Sequence, residues 1–150
     1  IIRLKESYVV FSNVCFNNFD FNFLSNKDFV YCDPPYLITT GTYNDGKRGF
    51  KGWTEKEEKQ LLQTLDNLNS KNIKFALSNV LEHKGKSNDI LKSWVASNPN
   101  YKINFIDFHY SNSNYQTLVR DKNASIEILI TNYEPQIPQK EKTLFDDFNF

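Results

Sequence analysis

An acid, two prolines and a tyrosine, Asp33-Pro34-Pro35-Tyr36, follow directly on the apolar run Asp28-Phe29-Val30-Tyr31-Cys32. Proline fixes φ and lacks an N–H, and a residue before proline is pushed out of helical backbone. The carbonyls of Asp33 and Pro34 are therefore kept out of a helix and left to accept other hydrogen bonds. With a carboxylate and an aromatic face beside them, the turn is suited to hold a flat, amino-bearing ring. The exocyclic amine of a nucleobase is such a group. Pro-Pro after a strand is also ordinary loop punctuation, and Tyr36 alone would serve to cover a sheet end. At average residue frequencies the tetrapeptide arises by chance in about one chain of this length in a thousand. Context therefore decides, and the required context, a preceding strand, is present.

Other chemistry-bearing residues are more scattered. Lys47, Arg48 and Lys51 share a glycine-bearing stretch with Tyr43, Phe50 and Trp53, a mixture suited to phosphate contact and base stacking. Arg120 and Lys122 are further candidates for the nucleic-acid backbone. His83 and His109 lack partners at metal-ligand spacing, so no metal site is expected. Glu55, Glu57 and Glu58 read as a helix-start charge cluster favoured by the dipole, not as a catalytic set. Cys15 and Cys32 sit in apolar stretches and read as buried free thiols of a reducing cytoplasm.

The elements that must position these residues alternate between strand and helix patterns. Val14-Cys15-Phe16 predicts a short strand, and Phe29 to Cys32 a buried parallel one. The phenylalanines near the start are expected in the core. Thr54-Glu55-Lys56-Glu57 predicts a capping box, followed by Leu61, Leu62, Leu65 and Leu68 at helical spacing. Ile73 to Leu77 reads as a strand ending at Ser78-Asn79, where Asn79 serves as structural support for the turn. A shorter helix is expected from about Ser87 to Ala96, then strands over Tyr101–His109 and Ile126–Asn132. The pattern is α/β with a largely parallel sheet, in which ligands sit at the carboxyl ends of the strands. Asp33–Tyr36, Asn79 and the segment after His109 should share that edge.

A chain of 150 residues suits one domain, and 39% hydrophobic with 15% aromatic residues excludes a disordered composition. No apolar run approaches membrane-spanning length, and no secretory signal is visible. Eighteen basic residues balance eighteen acidic ones, so attraction to phosphates must come from local clusters. The absence of methionine, even at position 1, predicts a fragment, a processed piece or a partial gene record of a longer parent. Residues 1–133 are expected to form the catalytic part and residues 134–150 a polar, proline-bearing tail.

Taken in order, Asp33-Pro34-Pro35-Tyr36, Gly52-Trp53, Leu77-Ser78-Asn79 and Ile130-Thr131-Asn132-Tyr133 resemble the adenine-specific DNA methyltransferases of the DNA adenine methylase type. The similarity covers roughly Val14 to Tyr133. It implies a Rossmann-like, S-adenosylmethionine-dependent sheet, mostly parallel with a terminal antiparallel strand, of which the C-terminal half is present. The family's Phe-x-Gly-x-Gly segment and its lysine-bearing N-terminal segment do not occur here. Most of the sequence-reading region, which lies between that glycine segment and the tetrapeptide, is expected to be missing with them. Through the resemblance, Asp33, Pro34, Pro35 and Tyr36 become catalytic candidates, and Phe19, Asp20, Phe21 and Asp33 candidates for binding S-adenosylmethionine. Tyr36, Lys47, Arg48, Lys51, Trp53, Arg120 and Lys122 become candidates for binding DNA.

The implied reaction is direct methyl transfer, without a metal, to N6 of an adenine flipped out of double-stranded DNA. Implied partners are the absent N-terminal part of the same protein and a cognate restriction endonuclease, in the cytoplasm and away from membranes. Cytosine N4, an RNA adenine and a protein glutamine remain alternative amines. A remnant that only binds nucleic acid or a partner is the alternative of a different class.

Overall fold

In the computed structural model, residues 9–39, 52–106 and 125–134 are described. Lys47, Arg48, Lys51, His109, Arg120, Lys122 and residues 135–150 lie outside them, as do Tyr43 and Phe50.

Strands β1 (Phe29–Cys32), β2 (Lys74–His83), β3 (Lys86–Ser87), β4 (Lys102–Phe105) and β5 (Ile126–Thr131) form one sheet, with helices α1 (Glu55–Ser70) and α2 (Asp89–Ala96) between them in sequence. Along the sheet the order is β1-β2-β5-β4, with β3 also paired to β2. Only β1 and β2 pair in parallel among the described strands; β2–β3, β2–β5 and β4–β5 are antiparallel. The expectation of mostly parallel pairing therefore gives way. β1, β2 and β4 do share one direction, but β5 runs against them and is inserted between β2 and β4. One reversed strand in the middle converts its two neighbouring pairings to antiparallel.

The helix α1 forms as its sequence demands. The Thr54 side chain accepts from the Lys56 N–H, and Glu57 reaches back to the Thr54 N–H and hydroxyl, closing the capping box. Such a cap contributes about 1 kcal/mol. Leu61, Leu62, Leu65 and Leu68 are buried against Phe75, Leu77, Ile128 and Ile130, the residues of β2 and β5 on one sheet face. At the far end Asn72 takes a left-handed φ of 57°, a conformation Asn tolerates, and turns the chain into β2. Asn132 then fastens this edge: its side chain accepts from the Phe75 N–H (2.8 Å) and donates to the Ile73 carbonyl (2.9 Å) and Asn69 Oδ1 (3.0 Å).

Several local expectations are corrected. Cys15 to Phe16 leads into a 3-10 turn over Phe16–Asn18 rather than a strand, because Asn18 N–H closes on the Cys15 carbonyl at 2.8 Å. Among the described strands β1 lies at the sheet edge rather than buried within it, and Phe29 and Tyr31 are 53% and 59% exposed. Among the described residues only Phe75 of the phenylalanines is fully buried, while Phe11 and Phe23 stand in solvent. Cys15 is exposed and Cys32 only half-buried. β4 starts at Lys102 because Tyr101 turns inward, donating its hydroxyl to Asp66 of α1 at 2.6 Å and packing its ring on Trp94 and Phe75. β2 does not stop at Ser78-Asn79. It runs on to His83, with a bulge at Leu81, and folds back through Lys84-Gly85 into β3.

Candidate active site

The turn leaves β1 at a gap in the sheet. Cys32 pairs with Leu77, and the next pairing on that side of β2 is Glu82 with Ser87 of β3. Because Glu82 is also paired to Ile126 of β5, β3 must lie on the β1 side of β2. Asp33-Pro34-Pro35-Tyr36 therefore emerges between the carboxyl end of β1 and the β2–β3 hairpin, level with the middle of β2. No turn or side-chain hydrogen bond among the described residues uses the carbonyls of Asp33 and Pro34. The prolines disfavour helical backbone here, so no helix takes up these acceptors.

Tyr36 secures the turn. Its hydroxyl donates to Asp33 Oδ1 at 3.3 Å and lies 3.3 Å from Ser78 Oγ. Its carbonyl accepts from the Thr39 N–H and hydroxyl, both at 3.2 Å. Partial burial raises the phenol's pKa, and the neighbouring Asp33 carboxylate pushes the same way against the Ser78 bond. Tyr36 thus stays a neutral phenol that can donate to Asp33. Leu77 and Asn79 point toward the helices, so Ser78, and Tyr36 with it, stands on the opposite face of the sheet.

On the helix side lies a pocket of about 410 Å³, within the range of small-molecule sites. Asp33, Pro34 and Pro35 form its rim, Phe16, Phe19, Phe21 and Trp53 its aromatic walls, and the leucines of α1 its floor. Phe19 packs edge-on against Phe21 at 4.9 Å, and Phe16 lies 5.7 Å from the Trp53 ring. Two candidate groups distant in sequence, Phe19/Phe21 and Asp33–Pro35, thus meet in one cavity. Asp20 does not line it; its Oδ1 accepts the Asn22 N–H at 2.9 Å in an exposed turn. Tyr36 is likewise not a lining residue, so the turn separates the aromatic pocket on one face from the Tyr36–Ser78 pair on the other.

Burial pushes the Cys32 thiol up to about 11, so it stays protonated and is unsuited to nucleophilic catalysis. No group of three metal-ligating side chains occurs among the described residues. His83 Nδ1 instead meets Ser125 Oγ at 2.6 Å.

The largest revision concerns Glu58. It is fully buried, unlike the exposed Glu55, which pairs with Lys59. Its Oε2 accepts from Trp53 Nε1 at 2.7 Å, and its Oε1 from Asn79 Nδ2 and Asn88 Nδ2, each at 3.1 Å. Asn88 in turn caps α2 by accepting the Leu91 N–H, and Asn79 Oδ1 accepts the Val80 N–H. One carboxylate thereby joins a pocket wall, the mid-strand of β2 and the start of α2. The signal was in the spacing: Glu58 stands three, four and seven residues before Leu61, Leu62 and Leu65, on the helix's apolar stripe. Ser78 had a weaker signal, the β2 alternation that sets it on the same face as Ala76.

A family model described as D12 class N6 adenine-specific DNA methyltransferase matches residues 3–112. The chain is 49% identical over 134 residues to the modification methylase StsI of Streptococcus sanguinis, and 51% identical over 133 residues to the Type II methyltransferase M.FokI of Planomicrobium okeanokoites. Each alignment covers 89% of this chain and 20% of the relative. The modification methylase LlaI of Lactococcus lactis subsp. lactis is 44% identical over 123 residues, 82% of this chain and 17% of its own. The chain thus spans about a fifth of the length of these relatives. On the strength of that match and of the turn at the end of β1, the chain belongs to the D12 class of N6 adenine-specific DNA methyltransferases.

Proposed function

We propose that this chain carries the amine-holding site of an adenine N6-methyltransferase acting on double-stranded DNA, within a restriction-modification system as the relatives' names suggest. The observation that carries the reading is the turn itself: a carboxylate and two carbonyls that no turn or side-chain hydrogen bond among the described residues takes up, fastened by Tyr36 to Ser78, at the mouth of an aromatic pocket.

On this reading the target adenine leaves the duplex, at an unstacking cost of a few kcal/mol, and stacks on Tyr36. Asp33 and the Pro34 carbonyl accept the two amino hydrogens. The nitrogen lone pair is thereby drawn out of ring conjugation and becomes available for N–C bond formation, and Asp33 faces the proton that must leave. The methyl donor would supply an electrophilic sulfonium methyl, whose S–C bond breaks as the N–C bond forms and leaves the electron pair on sulfur as a thioether. The aromatic cavity, of nucleoside size and bordered by Asp33, fits S-adenosylmethionine, with Phe19 and Phe21 as walls; Asp20 would contribute only from outside the lining. Trp53 then serves as a wall of the donor pocket. Lys47, Arg48, Lys51, Arg120 and Lys122 remain proposed contacts to the DNA backbone, Asn79 a support reached through Glu58. Residues 1–133 would belong to the catalytic domain and 134–150 to a tail. A cytoplasmic location and a cognate endonuclease as partner belong to the same proposal.

The test is nucleoside mass spectrometry of DNA treated with the full-length protein and S-adenosylmethionine. N6-methyladenine is expected; N4-methylcytosine, or no modified base, would overturn the reading. Asp33→Ala should lose about 3–4 kcal/mol of transition-state stabilisation, several hundred-fold in kcat, with folding intact because Asp33 is exposed.

A further inference from the structure

We propose that the β2–β3 hairpin, through Lys84 and Lys86, is a clamp on the phosphate backbone of the duplex beside the flipped base. The proposal rests on the DNA-methyltransferase reading and adds an element that the basic residues recognised in the sequence do not include.

Four observations carry it. First, reach: His83 lies six positions along β2 beyond Leu77, which is level with Cys32. That is about 20 Å of strand beyond the level of the catalytic turn, on the edge where substrate must enter. The hairpin also flanks the turn directly, since β3 and β1 lie on the same side of β2.

Second, stiffness: the loop is the two-residue turn Lys84-Gly85, with φ of 47° and 78°. Both residues in left-handed backbone make the tight turn that matches strand twist. The hairpin's base is fixed as well, by the Asn88 N–H to the Leu81 carbonyl (2.9 Å) and by the buried Asn88–Glu58 bond. Third, aim: β2 carries a bulge at Leu81, at the root of the hairpin. Bulges bend a strand and recur beside active sites, where they re-aim the residues beyond the bend.

Fourth, charge: Glu82 is neutralised by Lys92, with Nζ to Oε1 at 2.6 Å. Asp89 faces back onto Ser87 Oγ at 2.6 Å. Lys84 and Lys86, both exposed, make no ion pair among the described residues. With a net charge of zero over the whole chain, an unpaired cationic pair must act locally. A stiff strand pair holding two ammonium groups beyond a nucleobase site meets a duplex at its phosphates. Lysine suits such point-charge contacts, which position the duplex without reading sequence.

The test uses the full-length protein and measures affinity for a duplex carrying the recognition site at several salt concentrations. Lys84→Asn, which keeps a residue tolerant of positive φ, is combined with Lys86→Gln. Each lost phosphate contact lowers the slope of log Kd against log salt by about 0.9, so the pair should lower it by about 2. KM for DNA should rise while kcat at saturating DNA is retained. Lys84→Arg with Lys86→Arg should keep the parent slope. Lys27→Gln, at the amino end of β1 and so away from the hairpin, should leave it unchanged. A parent that methylates DNA paired with an Asn/Gln variant of unchanged slope overturns the clamp alone. Loss of slope in the Arg variant, or equal loss in Lys27→Gln, also overturns it. A parent that does not methylate DNA overturns the clamp and the underlying reading together.

Discussion

Replacing Glu58 tests whether one buried carboxylate holds the pocket wall to the sheet. Glu58→Gln preserves volume and leaves an oxygen able to accept from Asn79 and Asn88. It turns an NH₂ toward Trp53 Nε1, however, which now donates at 2.7 Å to a carboxylate oxygen. Two donors cannot share that contact. A hydrogen bond to a charged group contributes about 1.5–3 kcal/mol net, so Glu58→Gln should cost about 2 kcal/mol. Glu58→Ala removes the acceptor for all three donors and leaves the Asn79 and Asn88 amides buried without it. At about 1–3 kcal/mol for each deprived group, and more where a cavity remains, the total should reach about 4 kcal/mol.

Urea unfolding followed by circular dichroism measures these losses. Trp94→Phe as a background isolates the emission of Trp53, because the chain holds only these two tryptophans. In that background the Glu58 variants should shift Trp53 emission to the red as its ring loosens from the pocket wall. A Glu58→Gln protein within about 0.5 kcal/mol of its parent, the ordinary scatter of surface substitutions, with unchanged emission, would refute the account. The carboxylate would then be a passenger in the core.

Tyr36→Phe removes the hydroxyl that joins Asp33 to Ser78 but keeps the stacking ring; about 1 kcal/mol of stability should be lost, with a far smaller fall in DNA methylation than Tyr36→Ala causes. Asn132→Ala deprives the Phe75 N–H and the Ile73 carbonyl of their partner and should cost about 2–3 kcal/mol in urea unfolding, without altering kcat in proportion. Folding raises the Cys32 pKa from the ordinary 9.0 to about 11, so above pH 9 the unfolded chain sheds a proton that the folded one retains. The stability tied to the protonated thiol is complete below pH 9 and is lost as pH rises to about 11. Cys32→Ala should flatten the stability profile in that window relative to the parent, and equal slopes would contradict the burial. Iodoacetamide at pH 8 should label exposed Cys15 before Cys32, as peptide mass spectrometry would show.

Elements whose pattern arises within one segment were legible in the sequence. The capping box at Thr54 and the leucine stripe of α1 depend on contacts a few residues apart, and both appear where their spacing indicates. The Asp33–Tyr36 turn was legible for the same reason, since proline geometry is local. Pairing is not local, and there the reading failed in part. Alternation along Ile126–Thr131 identifies a strand but carries no direction. The resemblance implied a terminal antiparallel strand, as β5 is, but nothing in the pattern placed it between β2 and β4, where it reverses the pairings on both sides. Phe29 and Tyr31 are exposed because they alternate with half-buried Val30 and Cys32, on the face of β1 turned away from the helix-side core. Glu58 escaped for a different reason. Its neighbours Glu55 and Glu57 supplied a sufficient solvent-side explanation, and a charge on an apolar stripe is decided by whether donors from other elements converge on it.

The same distinction bears on how the site is assembled. Asp33 and the Pro34 carbonyl are preset by a few covalent constraints, so the geometry proposed to hold the amine is local and stiff. The surfaces on either side of it are not local: Tyr36 depends on Ser78 of β2, and the aromatic pocket on Phe16 meeting Trp53, which Glu58 holds. A loss of tertiary packing short of unfolding should therefore spare the turn's own conformation while releasing both flanking surfaces. Mild destabilisation through Glu58→Gln should accordingly raise the KM for the methyl donor more than it lowers kcat at saturating donor. A variant with reduced kcat and unchanged KM would instead mean that Glu58 acts on the turn itself, and the division between a stiff turn and dependent walls would be wrong.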